Sequence, residues 1–308
     1  MIELLTLALS GILAAQANLL CPSTINPQSF VEQQDQGRQT PLRRDTSLIE
    51  KPSWVEIEFI GARMFSSQQL LAQMQLPRDP AQPNRLVFQA PVDFERLLDD
   101  LERVRYFLGS CGFLEAKVGE PKIEDLGDRA KITVAIEERL RYRIGNISVK
   151  GANLLTPERI IEISGLRTGE FVNARIISEN VYKGIKEVYE DQGYIRSDVN
   201  FIPDFRPIYP GAPEGIVDIT LEIDEGSAFF ISSVAFLGLV ETDEQSLRDL
   251  LLIREGDLFS RRMFIETLKR LNQLGLFGEI QERDVITRTN DKDRTVELMI
   301  QVKEIKRQ

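Results

Sequence analysis

The 308-residue chain carries 38 Lys and Arg against 48 Asp and Glu, a net charge of -10, with 42% hydrophobic residues and no histidine. That length accommodates two or three domains with ordinary globular cores. The acidity excludes a phosphate backbone as main partner and a polybasic membrane patch, since both need a basic footprint. The missing histidine removes the commonest general base and metal ligand, and with them every Ser-His or Cys-His nucleophile pair.

In chain order, an apolar run from Leu4 to Ala15 ends in Ala15-Gln16-Ala17. Residues 1–17 read as a signal peptide cleaved after Ala17. Glu3, with no nearby Lys or Arg, and a weak apolar continuation to Cys21 leave alternatives open: an uncleaved anchor, a start assigned too late, or a cytosolic start. The run is shorter than the roughly 20 apolar residues of a spanning helix. Residues 18–50, rich in Gln, Ser, Pro and Arg, read as a disordered linker. Cys21 follows bulky Leu20, which favours an incidental cysteine over a lipid attachment site. Cys111 sits in a helix-ending loop, Gly109-Ser110-Cys111-Gly112. The two cysteines make no disulfide framework; a bridge between them is left as a minor alternative for an oxidising compartment.

From Trp54 onward one pattern recurs three times. In the first repeat (51–141), Val55, Ile57 and Phe59 alternate into Gly61, and Ser66 with Gln69 forms a capping box. A long insertion, residues 77–91, contains Leu86-Val87-Phe88 and reads as loop variation. A second helix, capped at Asp93, places Leu97, Leu101, Val104 and Leu108 on one face and stops at Gly112-Phe113. Ile132, Val134 and Ile136 mark the last strand.

The second repeat (142–226) runs from Ile147 and Val149 into Gly151, with Thr156-Pro157 opening a helix. Asn173 caps a helix carrying Ile177, Val181, Ile185 and Val188, which ends at Gly193-Tyr194. A Pro/Gly-rich connection, residues 203–215, leads to Val217, Ile219, Leu221 and Ile223, alternating with polar residues. The third repeat (227–308) has Val234 and Phe236 before Gly238, and Thr242 with Gln245 as a capping box. Ser260 caps a helix bearing Phe264, Leu268 and Leu271 that ends at Gly275-Leu276; the final strand carries Val296, Leu298, Ile300 and Val302. Each unit is therefore strand-helix-helix-strand-strand, an α+β module with a three-stranded mixed sheet covered on one face by two helices. The short junctions, residues 138–143 and 226–230, read as restricted hinges.

These units resemble the POTRA (polypeptide-transport-associated) family. The second repeat carries the resemblance best, through Ile147-Ser148-Val149-Lys150-Gly151-Ala152, Gly169-Glu170-Phe171 and Val188-Tyr189-Glu190-Asp191-Gln192-Gly193-Tyr194. Arg254-Glu255-Gly256-Asp257-Leu258-Phe259-Ser260 and Arg270-Leu271-Asn272-Gln273-Leu274-Gly275-Leu276-Phe277 make the third similar to the barrel-proximal unit of BamA-type outer-membrane assembly proteins. The first is divergent. In that family a transmembrane β-barrel follows the last unit; no run of such strands follows here, which leaves a barrel-less protein or a fragment of a longer gene.

The resemblance implies a non-catalytic periplasmic scaffold at the outer membrane, with no cofactor. Its partners would be unfolded outer-membrane proteins, an accessory lipoprotein, or a β-barrel region if the chain is a fragment. The alternative is a membrane-anchored division or secretion protein with POTRA-like interaction modules. It also implies that the penultimate strand of each unit is a sheet edge, near Val118 in the first, at Ser197, Val199 and Phe201 in the second, and at Ile280, Arg283 and Val285 in the third. Such edges accept another strand. Gly61, Gly151, Gly193, Gly238 and Gly275 are read as structural glycines. The acidic pairs Glu137-Glu138 and Glu222-Asp224-Glu225 fall at strand ends and read as solvated rather than as acid/base machinery. Asp291 and Asp293 lack the glycine and closing glutamate of a calcium loop, and no phosphate-binding glycine motif occurs.

Overall fold

The structure, a computed structural model, describes Cys21 and residues 55–87, 92–126 and 129–305. The signal-like segment, the remainder of the arm, the Phe88 end of the insertion, the Asp93 side chain and the last three residues lie outside the described residues. Backbone contacts divide the chain into two compact units. One comprises the described residues up to Asn146 with Arg167–Arg175 and Asp204–Asp218; the other comprises Ile147–Leu166, Ile176–Pro203 and those from Ile219 onward.

The first repeat contains β1 (Val55–Ile60), α1 (Ser67–Leu71), β2 (Arg78–Asp79), β3 (Gln82–Leu86), α2 (Val92–Ser110), β4 (Lys117–Val118), β5 (Lys122–Asp125) and β6 (Ala130–Glu137). Ser66 and Gln69 make the expected capping box. Leu97, Leu101, Val104 and Leu108 are all buried, so the four-residue spacing marks the face that α2 turns to the core. The central strand is β6, parallel to β1 on one side and antiparallel to β4 and β5 on the other. The insertion is not loop variation. Its described part folds into the hairpin β2–β3, and β3 pairs antiparallel with β1 through Val55–Leu86 and Glu56–Arg85. Leu86 is fully buried there, and Arg78 donates to the Leu71 carbonyl at 2.8 Å.

The cysteine reading also needs correction: Cys21 and Cys111 form a disulfide, with Cα atoms 5.2 Å apart. Cys111 is buried and Cys21 packs against the first core, so the two sulfurs share one environment.

The second repeat contains β7 (Arg141–Lys150), α3 (Pro157–Ser164), α4 (Ala174–Ile176), a π-helical stretch (Ile177–Gly184), α5 (Ile185–Glu190), β8 (Asp198–Pro207) and β9 (Glu214–Asp224), with sheet order β7-β9-β8. Thr156 caps α3 by accepting from Arg159 N–H. The wider π winding moves the buried face by one residue: Ile177, Val181 and Ile185 are buried as expected, but the series closes on Tyr189 rather than Val188. The connection expected over 203–215 is shorter, because β8 continues to Pro207 and β9 resumes at Glu214.

The third repeat contains β10 (Phe230–Leu237), α6 (Glu244–Arg248), α7 (Arg261–Gln273), a 3-10 turn (Glu282–Asp284), β11 (Val285–Asn290) and β12 (Thr295–Gln301). β12 lies between β10, parallel, and β11, antiparallel. The cap of α6 is Asp243, not Thr242: its carboxylate accepts from Ser246 N–H at 2.9 Å. Ser260 caps α7, and Phe264, Leu268 and Leu271 are buried in this repeat's core.

Candidate functional site: sheet edges, latches and joints

The glycine after each first strand answers one geometric demand. Gly61, Gly151 and Gly238 have φ of +86°, +76° and +97°, and a Cβ on them would lie 2.6, 2.2 and 2.3 Å from the carbonyl oxygens of Ile136, Ile223 and Val302. Left-handed backbone and a close approach to the last strand therefore coincide, and only glycine meets both. Gly193 has φ +86° with Leu258 crowding its missing Cβ; Gly275 has φ +63° with open space around it.

Beside each of those three glycines sits a carboxylate. Glu138 accepts from the N–H groups of Arg63 and Met64 at 3.0 and 2.9 Å. Glu225 accepts from Asn153 and Leu154 at 2.7 Å each and from the Tyr189 hydroxyl at 2.9 Å. Glu304 accepts from Val240, Glu241 and Thr242 at 3.1, 3.0 and 2.9 Å. Each latches the loop that leaves the first strand to the end of the last. The reading of Glu138 and Glu225 as solvated strand ends is thus overturned. Three backbone donors hold Glu304 well below the usual carboxylate range, at about 2. Burial opposes the same effect at Glu225, but its N–H and hydroxyl donors prevail and its pKa is lowered. At Glu138 burial prevails and the pKa is raised.

A second device joins successive repeats. Arg141, buried at the start of β7, donates from Nε to the Cys111 carbonyl at 2.8 Å and stacks 3.6 Å above the Phe171 ring, whose neighbourhood Arg143 shares at 3.8 Å. Tyr142 N–H donates to Gly112 at 2.9 Å and its hydroxyl donates to Glu115. At the next joint, Phe229 N–H donates to Gly193 at 2.9 Å, and Asp191 accepts from the Ser260 hydroxyl and from Arg262 N–H. Arg141 and Tyr142 fall inside the short junction 138–143 that the sequence marks as a restricted hinge, whereas nothing in the sequence ties Phe171 to it.

The edges themselves differ. Val118 ends β4, paired with Ile136. The strand then breaks at Gly119-Glu120-Pro121 before β5 resumes, so the first repeat's edge is two short pieces. In the second repeat Ser197 is buried just before β8, Val199 points into the core and Phe201 is half-buried. β8 carries Pro203 and Pro207, which an edge tolerates. In the third repeat the expected span is displaced. Ile280 is buried, and its N–H and C=O are both bound by the Asn272 amide at 2.8 Å. Arg283 lies in the 3-10 turn, and the edge begins only at Val285, running to Asn290. The turn is set by Gln281 and Asp284, which bond each other's backbone.

The POTRA family, described as a surface antigen variable number repeat, matches residues 53–139, 142–226 and 229–305. Among similar proteins is the outer membrane protein assembly factor BamA of Nitratidesulfovibrio vulgaris, 26% identical over 213 residues, covering 68% of this chain and 26% of that protein. BamA of Buchnera aphidicola is 25% identical over 252 residues, covering 80% and 39% respectively. The chain thus spans well under half the length of these relatives. Among solved structures, the POTRA3-5 fragment of Haemophilus influenzae BamA shares the fold with a TM-score of 0.64 at 21% identity, covering 82% of this chain and 97% of that one. With three repeats matched in tandem over most of its length, the chain belongs to the POTRA family.

Proposed function

We propose that this chain is a non-catalytic periplasmic scaffold for outer-membrane protein assembly, receiving extended polypeptide as an added strand at open sheet edges. The observation that carries this reading is the position of β8 and β11, each the last strand of its sheet, with unpaired backbone groups along one side. The hairpin of the first repeat supports it from within the molecule: there β3 adds antiparallel to the edge of β1. Each added backbone bond contributes only about 1 kcal/mol net, so clients would bind weakly and leave readily. The Cys21–Cys111 bridge is consistent with an oxidising compartment such as the periplasm. The relatives named as outer membrane protein assembly factors support outer-membrane proteins as the client class. The test is photo-cross-linking from a benzophenone side chain placed at Ile286 in β11, Phe201 in β8, or Lys269 on the exposed face of α7. Cross-links to an unfolded outer-membrane protein from Ile286 or Phe201, exceeding those from Lys269, support edge binding; capture from Lys269 alone refutes it.

A further inference from the structure

We propose that the third repeat is the receiving module, and that a groove behind β11 seats one uncharged, apolar side chain of the polypeptide added to that strand. The proposal deepens the reading above and rests on edge pairing. Comparison of the three edges selects the module. β4 and β5 are two and four residues long, separated by Gly119-Glu120-Pro121. β8 is longer, but Pro203 and Pro207 each remove a backbone donor. β11, Val-Ile-Thr-Arg-Thr-Asn, has six residues without a proline and six consecutive register pairs to β12, so its outer side offers an uninterrupted ladder.

The groove supplies selectivity that a bare edge lacks. Thr287 and Thr289 of β11 form one wall, Phe259, Phe264 and Val296 form an apolar floor, and the volume is about 350 Å³. That is at the small end of ligand sites, roughly 300–1,000 Å³, enough for a side chain or two rather than a folded element. Side chains of a strand added along β11 alternate in phase with it, so every second one falls on the face that Thr287 and Thr289 share.

Charge decides what enters. Glu190 and Glu282 offset Arg196 and Arg261 around the groove. Arg261 is held by Glu282, Glu190 and Glu187 at 2.7, 3.5 and 3.7 Å, and Arg196 by Asp291 at 3.2 Å and the Thr289 hydroxyl at 2.7 Å. An incoming charge would have to displace one of these partners, whereas an apolar side chain displaces water alone.

The experiment uses the full chain with three synthetic peptides of about ten residues, alternating in pattern and differing only in Phe, Ala or Glu at the central position. Affinity is read by fluorescence anisotropy, and the edge used is read by amide exchange across Val285–Asn290 and Asp198–Pro207. Protection of β11, with the Phe peptide bound roughly tenfold more tightly than the Ala peptide and Glu giving no gain, is the expected result. Thr287→Trp, or the milder Thr287→Leu at this exposed position, should fill the groove and erase the Phe advantage while the Ala peptide still protects β11. Equal affinity of Phe and Ala peptides with β11 protected, or protection of β8 alone, would overturn the proposal and leave edge pairing standing. Binding with no edge protected would remove edge pairing and the groove together.

Discussion

The amide of Phe229 donates to the carbonyl of Gly193 at 2.9 Å, as that of Tyr142 does to Gly112, also at 2.9 Å. Both donors stand nine residues before the glycine that ends their own first strand, Gly238 and Gly151. The glycine that stops one repeat's long helix therefore also anchors the first strand of the next. Left-handed backbone at Gly112 and Gly193, φ +99° and +86°, turns the carbonyl out of the helix to meet it.

Gly193→Val should accordingly act at the joint between the second and third repeats. The new side chain meets disfavoured backbone and the Leu258 side chain at 2.7 Å. The expected loss is roughly 1–3 kcal/mol, seen as a lower denaturation midpoint and as faster exchange of the Phe229 amide. Unchanged exchange at Phe229 would show that Gly193 only ends a helix.

Gly238→Val should damage the third repeat and spare the first. Its Cβ would lie 2.3 Å from the Val302 carbonyl oxygen in a backbone at φ +97°, again roughly 1–3 kcal/mol from conformation alone, with the overlap in addition. Hydrogen exchange should show amides of β10 and β12 losing protection while those of β1 and β6 keep theirs. Equal loss in all three would mean the repeats do not behave as modules.

The carboxylate latches predict opposite responses to acid. Glu304 has a folded pKa of about 2, below the roughly 4.3 of an unfolded glutamate. Its contribution is full above that unfolded value and is lost as pH falls toward 2. Glu138 is raised, so the folded state takes up its proton first, and its contribution weakens as pH rises through that raised value. Urea midpoints of Glu304→Gln and the parent should therefore differ at neutral pH and converge below about pH 4. The gap between Glu138→Gln and the parent should move the other way. A constant gap for Glu304→Gln across that range would refute the latch.

The Cys21–Cys111 bridge predicts a fragment that stays attached. Proteolysis within residues 22–50 should release no amino-terminal peptide on a non-reducing gel and release one after reduction. Because the bridge closes a loop of sequence separation 90, Cys111→Ala should lower the stability of the first repeat by roughly 2–4 kcal/mol and leave the third unchanged. Release of the peptide without reductant would show that the two cysteines do not pair.

Much of this was legible in the sequence, because the repeat is written in features that act locally. Alternation from Val217 to Ile223 follows from one buried face, and Gly112, Gly193 and Gly275 stand where a helix must turn left-handed. What escaped reading depends on partners distant in the chain. The stretch Gln82–Leu86 has no apolar alternation, so nothing local marks it as a strand; its pairing comes from the edge of β1. Glu138, Glu225 and Glu304 look like ordinary surface acids until the loops they bind are brought beside them. The π stretch moves the buried face from Val188 to Tyr189, which a uniform helical period does not foresee. The third edge begins five residues later than the span Ile280–Val285 that the resemblance implies, because Gln281 and Asp284 close a turn ahead of it.

The central claim, that extended clients are received at the open edges, is tested most directly by amide hydrogen exchange of the full chain with and without an unfolded outer-membrane polypeptide. The account predicts protection gained along β11, Val285–Asn290, and to a lesser degree along β8, with little change in the central strands β9 and β12. Client binding that protects helix amides of α2 or α7 while β8 and β11 exchange as before would contradict it.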